Sequence, residues 1–323
     1  MSERKQPERK PGLQSIHQLR GDRERGRYSR ATGSLAAAAG GALVAILVGY
    51  HFLSERALDE SKAGLLAKQR AVSATLGAKW FPLRDKVEKL TTDAAAHFDG
   101  DHIDATAASW DFRTLPGLYL RIRVEDAKDI PTLRRSAPTS LRDGFVSRFL
   151  REPNPAATRG EPDAGAFAEQ PWNLKKAYAA TRILTDEWVS EVKIAPDPLR
   201  LRVFEQQYDV AVRDEIPQAI DLLERAQFFL LVVDEGSGDA VAEAGAAASE
   251  EALQEVPHFA RVHVLNLKTG TEILRVRRNA EASFMFAGEK PVSDPETLTA
   301  MKRQVNNCAL AKAVEAAIKA PAP

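Results

Sequence analysis

Phe228-Phe229-Leu230-Leu231-Val232-Val233 is an unbroken apolar run of strand length, and it reads as a central strand buried on both faces. If one element nucleates the core, it is this one. On its C-terminal side, residues 234 to 257 hold seven acids (Asp234, Glu235, Asp239, Glu243, Glu250, Glu251 and Glu255) and no Lys or Arg. The pattern predicts a solvated, mobile loop. Arg261 to Leu267 and Thr271 to Arg277 then form a hairpin across residues 266 to 270, with Gly270 suited to a positive φ. Asp294 or Ser293 caps a last helix carrying Leu298, Met301, Val305, Leu310, Val314 and Ile318.

On the N-terminal side the spacing predicts two long helices. Tyr178 to Val192 aligns Thr181, Leu184, Trp188 and Val192, and Leu201 to Arg225 aligns Phe204, Tyr208, Ala211, Ile220 and Leu223, with a kink expected at Pro217. Residues 152 to 172, with Pro153, Pro155, Pro162 and Pro171, read as a long flexible loop. Before it, Thr139 or Ser140 caps a short helix whose Leu141, Phe145 and Phe149 fall four apart. Leu118, Leu120, Ile122 and Val124 alternate with Tyr119, Arg121 and Arg123, the period of a half-buried strand with one wet face.

Further out, Ser34 to Leu53 (SLAAAAGGALVAILVGYHFL) runs without Asp, Glu, Lys or Arg. At about 1.5 Å per residue, such a helix covers a hydrocarbon core of about 30 Å. Residues 1–31 carry nine of the 45 Lys and Arg against four acids, a charge of +5; the remaining 36 bases and 41 acids leave −5. Positive charge stays inside, so the expectation is an uncleaved anchor with a cytoplasmic amino terminus. Gly33, Ala37, Gly41, Ala45 and Gly49 recur every fourth position, a small-residue stripe that suits helix self-association. From Ser54 a helix continues, with Leu58, Leu65, Val72 and Leu76 on one face until Pro82 punctuates it. Such a stalk either pairs with its copy or packs back on its own domain.

The sequence thus predicts an α+β protein. A basic disordered tail (1–31) precedes a transmembrane helix (32–53), a helical stalk (54–98) and a mixed extracytoplasmic domain (99–323) with a small β-sheet packed by helices. The lone Cys308 leaves that domain to be held by packing, which suits a periplasm.

Chemistry is sparse. His97, Asp99, Asp101, His102 and Asp104 crowd together, but without the spacing of a calcium loop, so no metal is expected. Ser190-Glu191-Val192-Lys193 and Lys268-Thr269-Gly270 resemble the S-x-x-K and K-T-G motifs of penicillin-binding proteins and serine β-lactamases. That resemblance would make Ser190 an acyl nucleophile. It covers seven residues, and no Ser-x-Asn lies between the two motifs. Gly236-Ser237-Gly238 lacks the third glycine of a dinucleotide site, at Val241. No P-loop, H-E-x-x-H or G-x-S-x-G occurs.

What remains is binding. Arg121, Arg123, Arg275 and Arg277 fall on the strands' wet sides and form a candidate basic face for an anionic ligand, or pair with the protein's own acidic segment. The expected partners are the lipid bilayer, a second copy through the stripe, and a membrane or periplasmic protein. Neither nucleic acid nor a cofactor is expected. The architecture resembles bacterial extracytoplasmic sensory domains, which would imply ligand sensing relayed through a partner.

Overall fold

Six strands share one mixed sheet in the computed structural model, which describes residues 51, 53–139, 144–150, 172–236, 250–281 and 294–319. In chain order they are β1 (His102–Ile103), β2 (Gly117–Arg123), β3 (Trp172–Asn173), β4 (Phe228–Glu235), β5 (Phe259–Asn266) and β6 (Glu272–Asn279). Their order across the sheet is β1-β6-β5-β4-β2-β3. β4 takes the central place that its apolar run predicts, and none of Phe228 to Val233 is exposed. β2 is parallel to β4 and β3, whereas β5, β6 and β1 add antiparallel strands on the other side.

The chain divides into two compact units, Met1–Gly64 and Leu65–Pro323. In the first, residues 53–64 are helical. No helix among the described residues is long and apolar enough to cross a membrane. The predicted span lies outside the described residues except at His51 and Leu53, and so does its small-residue stripe.

The second unit holds the sheet and its helices: α1 (Ala78–Ala96), α2 (Ile130–Ser136), α3 (Gly144–Phe149), α4 (Leu174–Ala180), α5 (Asp186–Lys193), α6 (Pro198–Val210), α7 (Ile216–Arg225), α8 (Glu250–Glu255) and α9 (Pro295–Lys319). Parallel neighbours need crossovers, and α2 to α7 supply them on either side of β3. The pleat sends Tyr119, Phe228, Leu230 and Val232 to one face. There Phe145 and Phe149 of α3 and Leu310, Ala311 and Val314 of α9 cover them. Leu118, Leu120, Phe229 and Leu231 point the other way, where α1 and α4 meet the sheet with α7 packed against both.

That double cover corrects the half-wet reading of β2, which is buried from Gly117 to Ile122. Gly117 is required there, because a Cβ would lie 2.2 Å from the ring of its partner Phe228. From Leu65 onward the segment expected as a stalk packs on the second unit, where Leu65, Trp80, Val87 and Thr91 are buried.

Of the two prolines expected to interrupt helices, Pro82 lies inside the unbroken α1, whereas Pro217 sits in the first turn of α7. A π-helical turn, Ser73–Gly77, precedes α1 and its internal Pro82, and another, Ala211–Glu215, joins α6 to α7 just before Pro217. At Pro217 the wider winding re-registers the ladder around an imino nitrogen that cannot donate. The predicted helix over 178–192 is instead two. A 3-10 turn at Thr181–Leu184 ends α4, and Thr185 starts α5 by accepting the Trp188 N–H at 3.3 Å. Asp294 caps α9 as expected, accepting Thr297 N–H at 3.0 Å, and Gly270 turns the hairpin at φ +75°. The acidic segment is not one loop. Asp234 and Glu235 end β4, and α8 buries Leu253 and Gln254; residues 237–249 and 151–171 lie outside the described residues.

Candidate functional site

β4 ends in two acids, and the pleat sends them to opposite faces. Asp234 follows Phe228, Leu230 and Val232 onto the α3/α9 face, diagonal to Arg121 on β2. Arg121 grips it with two hydrogen bonds, Nε to Oδ2 at 2.7 Å and Nη2 to Oδ1 at 2.9 Å, and its Nη1 donates to Asn307 Oδ1 of α9. His258 places Nε2 3.1 Å from Asp234 Oδ1 and Nδ1 2.8 Å from the Val256 carbonyl. Asn307 Nδ2 donates to Gln254 Oε1 at 3.3 Å, and Asn306 Nδ2 to the Gln254 carbonyl at 3.0 Å. All six side chains belong to buried residues. Burial pushes the Asp234 carboxyl up; the Arg121 charge and the His258 hydrogen bond outweigh it and hold it at about 2. The centre ties β2, β4, the α8 segment and α9 together. It is sealed from solvent.

Glu235 faces the other way, toward the rim. It accepts from Arg261 Nε, and from Arg277 Nε at 2.6 Å. The Arg277 guanidinium also lies 4.3 Å from the Phe259 ring centre. Arg275 donates to the Gly100 carbonyl at 3.0 Å and reaches Asp99 and Glu272 at 3.4 and 3.5 Å. Arg123 Nε donates to Asp126 Oδ2 at 2.6 Å.

The four candidate arginines therefore do not gather into one basic face. Register puts Arg121 and Arg123 on one side of the sheet and Arg275 and Arg277 on the other. Arg121 is sealed, and the acidic partners of Arg121 and Arg277 are the two acids that close β4.

A second buried acid sits on α1. Glu88 takes Arg134 of α2 through two 2.8 Å hydrogen bonds, lies 3.5 Å from Arg84, and accepts from the Tyr178 hydroxyl of α4 at 3.3 Å. Burial, with the Glu88 charge beside it, raises the Tyr178 phenol well above its ordinary range. The centre fastens α1 to α2 and α4.

The crowded His and Asp segment is absorbed structurally. Asp99 meets Arg275, Asp101 meets Arg278, and Asp104 takes the Thr106 N–H at 2.7 Å, while His102 and Ile103 form edge strand β1. Among the described residues no group of three His, Cys, Asp or Glu is placed to hold a metal ion. Ser190 and Lys193 are exposed on α5, and Lys268 Nζ donates to the Glu224 carbonyl at 2.8 Å from the hairpin turn. Among the described residues no hydrogen bond joins the two motifs.

Pattern reading passes over Asp234 as an inward residue, and over His258, Asn307 and Glu88. For Asp234 the signal was present, since it continues the even-numbered face of β4. For Glu88 it was not, because its arginine lies 46 residues away. No protein-family profile, curated protein or solved structure matches this chain.

Proposed function

We propose that this is a single-pass membrane-anchored protein, amino terminus cytoplasmic and α+β domain periplasmic, acting as a binding or scaffold module rather than as a catalyst. The observation that carries the reading is the uncharged stretch from Ser34 to Leu53 behind a segment of charge +5. The fate of the buried polar groups supports the non-catalytic part: Asp234 and Glu88 are buried and engaged by the protein's own cations. Topology is tested with single cysteines in a Cys308→Ser background. A membrane-impermeant maleimide is expected to label Ser190→Cys on intact cells and Ser2→Cys only after lysis; the reverse pattern, or labelling of both only after lysis, overturns it. Co-purification from detergent-solubilised membranes then asks for partners.

The second reading is a ligand sensor, favoured by a cavity of about 460 Å³ lined by Trp110, Phe112 and Phe149 with Arg113, Arg148 and Lys319. Aromatic walls with cations suit a planar anion. A thermal-shift screen of aromatic carboxylates on the full chain tests it, a concentration-dependent rise in Tm being the expected result.

A further inference from the structure

Helix α6 is apolar on two opposite sides. Leu201, Phe204 and Tyr208 turn into the core. Leu199, Val203 and Val210, which fall on the opposite side at helical spacing, are 74%, 38% and 44% exposed, and Ile194 just before the helix is 78% exposed. A single surface apolar residue needs no explanation; an aligned outward stripe spanning about three turns does. We propose that this stripe is a two-fold self-association face, occupied by α6 of a second copy running antiparallel to the first.

Charge and shape both select that occupant. Arg202 and Asp209 lie along the same flank of the stripe, both exposed; among the described residues neither is joined by a hydrogen bond or a close ion pair, and Arg213, one turn on, acts on Asp209 through its charge alone. An antiparallel copy, rotated about an axis at mid-helix, brings Arg202 of each chain beside Asp209 of the other, so two symmetry-related ion pairs form between the chains. The same operation brings the projecting Leu199 within about one helical turn of Val210 of the other chain. Val210 borders a hollow of about 370 Å³ walled by Ala180, Ile183, Trp188 and Ala211. Knob and hollow thus sit on one surface, as a two-fold contact requires. A helix lying on lipid carries Lys and Arg along both edges of its apolar stripe, whereas here Arg200 borders one edge and Arg202 shares the other with Asp209, so the edges are mixed in sign, which favours protein over membrane. One helix pair is at the low end of interface sizes, so the expected Kd is on the order of micromolar. The face is independent of the anchor, though two chains held in one membrane would meet there at higher effective concentration.

The test is sedimentation of the full-length chain in detergent, in a Gly41→Ile, Gly49→Ile background so that association through the small-residue stripe cannot mask the result. The background chain is expected to dimerise reversibly. Arg202→Glu alone and Asp209→Arg alone each place like charges opposite one another and are expected to weaken dimerisation at least tenfold. An equimolar mixture of the two restores two attractive pairs and is expected to recover the dimer, which a folding defect could not do. Failure of the background chain to associate, single variants that associate undiminished, or a mixture no better than its components would each overturn the proposal. So would a monomeric chain whose Val203→Cys, dye-labelled in a Cys308→Ser background, shifts to the blue with anionic vesicles, which would assign the stripe to lipid.

Discussion

Asp234 and Glu235 are neighbours in the chain, yet they belong to different physical regimes. Asp234 is paired with Arg121 where both side chains are wholly inaccessible, while Glu235 is 14% exposed and shares Arg261 and Arg277, the latter 44% exposed. One residue of strand pleat separates a sealed charge from a rim charge. In the sealed case desolvation is large, and only the completeness of the hydrogen bonding makes the pair tolerable; in the rim case water does much of the work that a partner would do.

The largest expected effect comes from breaking the sealed pair. Asp234→Ala leaves the Arg121 guanidinium buried without its counter-charge, and the expected loss is about 3–5 kcal/mol in a urea titration. A loss under about 1 kcal/mol would mean that water reaches the centre and that the two acids do not differ.

Acid sharpens the comparison without removing a side chain. The Asp234 carboxyl titrates at about 2 in the folded chain against 3.8 for the free group, so its contribution is fully present above about pH 4. It is lost as pH falls through the folded value, and integrates to roughly 2–3 kcal/mol. Asp104, Asp111, Asp129 and Asp294 are also held low, by hydrogen bonds from neighbouring threonines or, for Asp111, first from the Arg113 amide. The informative quantity is therefore the gap between wild type and Asp234→Asn. It is expected to close between pH 4 and 2, and a gap independent of pH would contradict the assignment.

The other end of the same strand pair is sealed by apolar packing. Gly117→Ala would drive a methyl into the Phe228 ring, which packs edge-on to Phe112 at 5.2 Å between centres. The expected cost is about 1–3 kcal/mol, with thermal unfolding still a single transition. It should exceed that of any change at Glu235.

How far the fold was legible follows the same division. β4 could be read because continuous apolarity is a local signal. β2 was misread because period-two alternation is also what a two-faced core strand shows when its polar residues are neutralised. Nothing within ten residues of Arg121 announces Asp234, 113 positions on. The arginines of a supposed wet face were in fact sorted by register to opposite sides, and register depends on pairing rather than on composition. β1, two residues long, gives no periodicity to detect. Pro82 does not interrupt its helix, which runs on from Ala78 to Ala96, whereas Pro217 follows a break in the winding, and the π-helical turn before it is a property of the hydrogen-bond ladder. The outward stripe of α6 was hidden by the stronger inward one, since a helix with apolar residues on both sides has no clear polar face to contrast them with.

The smallest effect belongs to the rim and depends most on conditions. Glu235→Gln keeps the volume of the side chain and removes the charge between Arg261 and Arg277, which face each other directly across β5 and β6. Near-surface ion pairs contribute about 0–1 kcal/mol, and like charges opposed on adjacent strands subtract a similar amount once the acid is gone, so the expected loss is about 1 kcal/mol at low salt. Raising the ionic strength to 1 M shortens the screening length to about 3 Å. Screening weakens the attraction in the wild type and the arginine repulsion in the variant alike, so the gap should narrow from both sides. The Asp234→Ala gap has no solvent ions between its charges and should hardly move over the same range. Equal salt sensitivity at the two positions would place both acids in the same dielectric and erase the distinction that the strand's pleat creates.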